Sequence, residues 1–181
     1  ILLIDGRRGI GNGRTFPAGP LRAPLETQLA RAQAIVFVGR PQRLEAIAER
    51  ARRYDAAIFH ARLEPDRQIV AALGGRKVLA FAGIGDPEKF FATLTQAGIV
   101  IGERAAFPDH HRYTAAEAQA LIARADAGGL MLVTTEKDLA RLSGDRHLSA
   151  FAARATALPV RLAIDEADAF RAMILKTVKR G

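Results

Sequence analysis

Short apolar runs alternate with amphipathic stretches along most of this chain, and few architectures bury both kinds of segment. Runs of four to six residues rich in Val, Ile and Leu on both faces suit strands covered by helices on each side. That points to an α/β fold with a largely parallel sheet. The expected strands are Ile1–Asp5, Ala34–Val38, Ala57–Ala61, Lys77–Ala82, Ile99–Gly102, Leu130–Val133 and Val160–Ile164.

Helix signals fall between them. A helix over Pro41–Tyr54 would bury Leu44, Ile47, Ala48, Ala51 and Tyr54 on one face. Asp86 is placed as an N-cap with Pro87 at the first helical position, Phe90, Phe91 and Leu94 form the apolar stripe, and Gly98 ends the segment. Thr114-Ala-Ala-Glu117 has capping-box spacing, and Gly128-Gly129 stops that helix. A last helix over Glu166–Lys179 would bury Phe170, Met173, Ile174 and Val178. It has acids in its first turn and bases in its last, which complements the macrodipole. The rhythm breaks around Arg62-Leu-Glu-Pro-Asp66. Two domains are therefore expected, 1–65 with a linker strand at its end and 66–181 as a second α/β lobe.

At 49% apolar residues the chain has enough material for a packed core, which argues against disorder. It has no Cys, and so neither disulfides nor a thiolate metal site. No apolar run reaches the length of a membrane span, and a cytoplasmic location is expected. The net charge of +8 favours polyanionic partners, whether phosphorylated metabolites, an anionic membrane surface or nucleic acid. With no Trp and only two Tyr there is no platform for stacking bases, so nucleic acid is set aside.

Four segments that could carry chemistry each follow an expected strand. The first is the opening loop, Asp5-Gly-Arg-Arg-Gly-Ile-Gly-Asn-Gly-Arg14, continuing through Phe16-Pro-Ala-Gly-Pro-Leu-Arg22. Its glycines permit tight turns, and Arg7, Arg8, Arg14 and Arg22 are planar cations suited to phosphate. It is no dinucleotide fingerprint, because Pro17 and Pro20 follow where a helix is required, and no Walker A loop, because Gly-Lys-Ser/Thr is missing. The second is Phe81-Ala-Gly-Ile-Gly-Asp-Pro87, whose glycines permit close backbone approach. The third is Phe107-Pro-Asp-His-His-Arg-Tyr-Thr114, in which Asp109 beside His110 suits acid–base work. A plain reading is also open there: Asp109 caps a turn and both histidines are exposed. The fourth is Val133-Thr-Thr-Glu-Lys-Asp138, where Thr135 with Asp138 is a capping arrangement at a strand end. No His spacing suits a metal. In one parallel sheet all four would meet at the carboxyl edge, an arrangement suited to phosphoryl transfer or another reaction of a phosphorylated substrate.

In order and spacing, these motifs resemble the tetraacyldisaccharide 4'-kinase family, the lipid A 4'-kinases of Gram-negative bacteria. The resemblance covers nearly the whole chain. It implies a P-loop kinase-like parallel sheet remnant plus a smaller C-terminal α/β lobe joined by a strand linker. It implies ATP with Mg2+, a lipid A disaccharide precursor phosphorylated at its 4'-hydroxyl, and a peripheral position on the cytoplasmic leaflet of the inner membrane. The family's Walker A loop is expected before residue 1, so this segment alone is expected to be inactive. Carried over, His110 is the partner of a catalytic acid outside this segment and Asp109 supports it. Arg22, with Arg14 and Arg8, serves phosphate or the substrate head group, and Thr135, Glu136 and Asp138 lie structurally or near the nucleotide. The family has Glu directly after the Arg at position 22, whereas this chain has Ala23. Two other readings need no kinase: a non-catalytic anion-binding module for sugar phosphate or a membrane surface, and a phosphate-ester hydrolase using Asp109 and His110. The hydrolase would need a nucleophile or metal cluster that the sequence does not offer.

Overall fold

Most of the apolar strands take parallel neighbours, but they build two sheets rather than one. The computed structural model describes residues 1–39 and 45–178. The first sheet runs β1 (Leu2–Asp5), β2 (Ala34–Val38), β3 (Ala57–Pro65), with one late strand, Val160–Ile164, next to β3. The pairs β1–β2 and β2–β3 are parallel, with Leu2 opposite Ile35 and Ala34 opposite Ala57. In the second sheet β4 (Lys77–Ala82) lies between β5 (Val100–Ala106) and β6 (Met131–Thr134), with β7 (Ala155–Ala157) outside β6. All of its pairings are parallel. The late strand of the first sheet is β8.

The chain divides into two compact units, Ile1–Glu64 with the segment from Leu162 onward, and Pro65–Arg161. The expected second lobe of 66–181 therefore differs at its end, since the last strand and helix belong to the first unit. The physical reason is long-range pairing: β8 joins the first sheet, and Phe170 and Met173 pack on a cluster of Ala34, Val36, Phe59 and Ala61. The rings of Phe170 and Phe59 meet edge to face, 5.1 Å apart.

In the first unit α1 (Leu25–Leu29) and α2 (Glu45–Arg52) cover one face of the sheet, where Leu25, Leu29, Ile47 and Ala51 pack with Ile4, Ile35 and Phe37. Of the helix expected over Pro41–Tyr54, Pro41 and Leu44 lie outside the described residues. Tyr54 is exposed rather than buried. In the closing helix α8 (Ala167–Val178), Phe170, Met173 and Ile174 are only half-buried. Lys179 and the side chain of Val178 lie outside the described residues.

The second unit shows the alternation most plainly. Val78, Ala80 and Ala82 face α3 (Arg67–Leu73) and α4 (Pro87–Gln96), packing with Leu73, Phe90, Phe91 and Leu94. Leu79 and Phe81 face the other way, onto α5 (Ala115–Gly128), α6 (Glu136–Ser143) and α7 (Ser149–Arg154), packing with Leu121, Leu142 and Phe151. Each such fully buried Phe or Leu contributes about 1.5–3 kcal/mol. The caps form as expected. The Asp86 side chain accepts from the Lys89 amide, the Thr114–Glu117 box is complete, and Gly129 closes α5 in the left-handed conformation. The edge strand β5 departs from the expected two-sided burial: its residues alternate between half-buried and exposed. The short elements α1, α3, α7 and β7 had no sequence signal.

Candidate active site

Three of the four candidate segments meet at the carboxyl ends of β4, β5 and β6. The fourth, the opening loop, follows β1 on the other sheet and belongs to the first unit, so the four segments do not lie on one sheet.

The meeting point in the second unit is built around Asp138, whose side chain is fully buried at the start of α6. A buried carboxylate needs several donors, and this one has them. Thr135 Oγ1 donates to Oδ2 at 2.7 Å, and the Gly83 amide donates to the same oxygen at 3.1 Å. Arg141 Nη1, one turn along the helix, donates to Oδ1 at 2.9 Å. Thr135 also caps the helix, its oxygen accepting from the Asp138 amide at 3.1 Å. Thr134 is held below, with Oγ1 donating to the Phe81 carbonyl at 2.8 Å.

Gly83 is the backbone counterpart of Asp138. Its carbonyl accepts from Arg141 Nη1 at 2.9 Å and from the His110 amide at 3.0 Å. A Cβ at Gly83 would lie 3.0 Å from His111 Cβ, 3.2 Å from Asp138 Oδ1 and 3.3 Å from the Tyr113 hydroxyl, so a side chain there would press on all three.

His110 is attached to this point through both ring and main chain. Arg141 Nη2 lies 3.2 Å from Nδ1, and the His110 amide donates to Asp109 Oδ1 at 3.0 Å as well as to Gly83. Its backbone is in the left-handed region at φ 59°, uncommon for a non-glycine residue and a feature that concentrates at functional sites. The side chain is 81% exposed, with Nε2 3.8 Å from Asp109 Oδ2. His110 and Arg141 line an open cleft of about 520 Å3 together with His111, Tyr113, Asp145 and Leu148.

The neighbouring histidine is different. His111 stacks on Phe107, with ring centroids 4.8 Å apart, and its Nε2 lies 3.1 Å from both Glu117 oxygens. It is half-buried and structural, which corrects the reading of both histidines as exposed. Hydrogen bonds from Thr114 and His111 hold the Glu117 carboxyl below its usual range. Tyr113 is buried, and among the described residues its hydroxyl has no hydrogen-bond partner. Burial and the nearby Asp138 charge push that hydroxyl far above the ordinary phenol range. Glu136 is exposed in the first turn of α6.

In the first unit the opening loop is shaped by its own backbone. Asp5 Oδ1 accepts from the Arg7 amide at 2.9 Å and the Arg8 amide at 3.2 Å. Gly9, Gly11 and Gly13 all take positive φ, which only glycine adopts freely. Asn12 closes the loop, donating through Nδ2 to the Ala18 carbonyl at 2.8 Å and accepting from the Arg14 amide at 3.1 Å. Arg8, Arg14 and Arg22 are exposed, and Arg14 lines an open cleft of about 480 Å3 beside Ile10, Leu25 and Arg50. Neither Arg14 nor Arg22 has a carboxylate partner among the described residues.

Arg141 is the residue that the sequence reading missed. Its only local signal is a position three residues after Asp138 on the same helix; its other partners, Gly83 and His110, are distant in sequence.

The chain also matches known proteins along its length. A family model for tetraacyldisaccharide-1-P 4'-kinase matches residues 1–179. A tetraacyldisaccharide 4'-kinase from Bradyrhizobium sp. strain BTAi1 is 51% identical, covering 96% of this chain and 50% of the relative. One from Rhodopseudomonas palustris strain BisB5 is 47% identical over the whole chain and 53% of the relative. The crystal structure of LpxK from Aquifex aeolicus, in its "apo" form in complex with ATP, superposes with a TM-score of 0.58 at 25% identity, covering 97% of this chain and 51% of that one. The chain thus spans about half the length of the relatives it matches. Its motifs, its α/β architecture and these matches agree: the chain belongs to the tetraacyldisaccharide-1-P 4'-kinase family.

Proposed function

We propose that this chain is the C-terminal portion of an ATP-dependent kinase that phosphorylates the 4'-hydroxyl of a tetraacyldisaccharide 1-phosphate in lipid A biosynthesis. The observation that carries the reading is His110, an exposed imidazole held in a strained backbone conformation at a strand-end cleft. In phosphoryl transfer the protein supplies positioning and charge stabilisation more than covalent chemistry. His110 orients the acid that takes the proton from the attacking hydroxyl. Asp109 fixes the turn that presents His110. Arg22, Arg14 and Arg8 neutralise phosphate on the sugar or the nucleotide, with geometry suited to paired oxygens. Thr135, Glu136 and Asp138 shape the strand end, Asp138 as a buried anchor.

The residues described here do not fit Mg2+. Among them no cluster of three His, Asp or Glu exists, and the oxygens of Asp138 are already occupied by Gly83, Thr135 and Arg141. Any Mg2+ is held by other groups. No Gly-Lys-Ser/Thr loop occurs in these 181 residues, so the segment alone is inactive. No helix among the described residues is long and apolar enough to cross a membrane, and the basic charge suits a peripheral position on the cytoplasmic leaflet of the inner membrane.

The test is His110→Ala in the intact protein. The expected result is a kcat lower by about 10²–10⁴, the range for a lost acid–base group. A wild-type kcat would remove His110 from the reaction. Tight phosphate-ester binding with no turnover in the intact protein would favour a non-catalytic anion-binding module.

A further inference from the structure

We propose that Arg141 is the positioning residue for His110: it fixes which ring nitrogen is free to act and where that nitrogen points. The inference rests on the role given to His110 above. A guanidinium has only donors, so at 3.2 Å Arg141 Nη2 can bond Nδ1 only if Nδ1 carries a lone pair. In the neutral ring the proton then sits on Nε2, the nitrogen on the exposed side of the imidazole. His110 therefore offers a hydrogen-bond donor to its partner acid, holding and aiming that carboxylate rather than taking a proton from it. Asp109, with its Oδ2 at 3.8 Å from Nε2, stands beside this donor without closing a hydrogen bond to it.

Arg141 can set this geometry because it is itself immobilised. The buried Asp138 carboxylate and the Gly83 carbonyl both bind Nη1, which leaves Nη2 directed at the ring. The Gly83 carbonyl also takes the His110 amide, so the ring and the main chain of His110 are referred to the same point. A chain of contacts runs from Thr135 through Asp138 and Arg141 to the imidazole. This gives the Thr135–Asp138 turn a part in the site beyond capping its helix.

The experiment is nitrogen NMR on the intact protein labelled with 15N-histidine, at a pH where the ring is neutral, combined with steady-state kinetics. The wild type should show Nε2 protonated and Nδ1 unprotonated with the displaced resonance of a hydrogen-bond acceptor. Arg141→Gln and Arg141→Lys should each lose that displacement. The Lys variant retains a cation for Asp138, so it separates the ring contact from folding. Both variants should lower kcat by about 10- to 100-fold, the cost of a misplaced reacting group, with the KM for ATP unchanged. Arg141→Gln added to His110→Ala should slow the enzyme no further, because one residue acts through the other. An Nδ1 resonance identical in wild type and both variants overturns the proposal, as does a wild-type ring protonated on Nδ1. If the resonance shifts but turnover does not, His110→Ala decides: a wild-type kcat there means that the catalytic role of His110 fails, and a lowered kcat overturns positioning by Arg141.

Discussion

The opening loop and the His110 turn both follow parallel strands, yet they are held by opposite means. The loop from Asp5 to Arg22 is shaped by main-chain turns, positive-φ glycines and the short side chains of Asp5 and Asn12, and its arginines are exposed. The His110 turn is held largely by side chains, a buried carboxylate and a guanidinium, which a strand-end carbonyl joins in one hydrogen-bonded chain. The difference matches what each group has to do. A guanidinium meeting phosphate works over several orientations, and a well-formed backbone is enough to bring it near. An imidazole that must present one nitrogen in one direction needs its ring fixed by neighbours.

This contrast is open to direct attack, and the largest effect should come from Asp138. Asp138→Ala strands Arg141, the Thr135 hydroxyl and the Gly83 amide in a buried place, and should cost about 3–5 kcal/mol in denaturant unfolding. A loss below about 1 kcal/mol would show that the node does not hold the turn. Gly83→Ala should cost about 1–3 kcal/mol, because its Cβ enters space already used by His111, Asp138 and Tyr113. Tyr113→Phe has the opposite sign. Removing a buried hydroxyl that has no partner among the described residues should leave thermal stability unchanged or raise it by up to about 1 kcal/mol. A clear drop would mean that the hydroxyl is bonded after all. The smallest change is expected on the other side of the comparison. Arg14→Ala combined with Arg22→Ala should move stability by less than about 0.5 kcal/mol. A larger loss would mean that the loop is held by its side chains too.

What could be read in advance depended on how local its cause is. The caps of α4, α5 and α6 lie within four residues of what they cap, so Asp86, Thr114 and Thr135 were legible directly. The short α1, α3 and α7 and the three-residue β7 carry too few periodic positions to signal themselves; packing decides them. The return of α8 to the first unit depends on β8 lying beside β3, a pairing that no local pattern announces. In the site, His110 stood out by residue type and neighbourhood. Arg141 did not, because an arginine on a helix is ordinary until Gly83 and His110 are found at its end. His111 was misjudged for the same reason, since its burial comes from Phe107 and Glu117.

The Gly83 carbonyl accepts two hydrogen bonds at the end of β4, an inner strand of the second sheet. The consequence is mechanical. His110 is tied to that carbonyl in two ways, its amide directly and its ring through Arg141, like an instrument bolted to a frame. A change within the loop alone cannot swing the ring without first breaking its contact with Arg141, and cannot move the main chain of His110 without breaking its bond to the strand end.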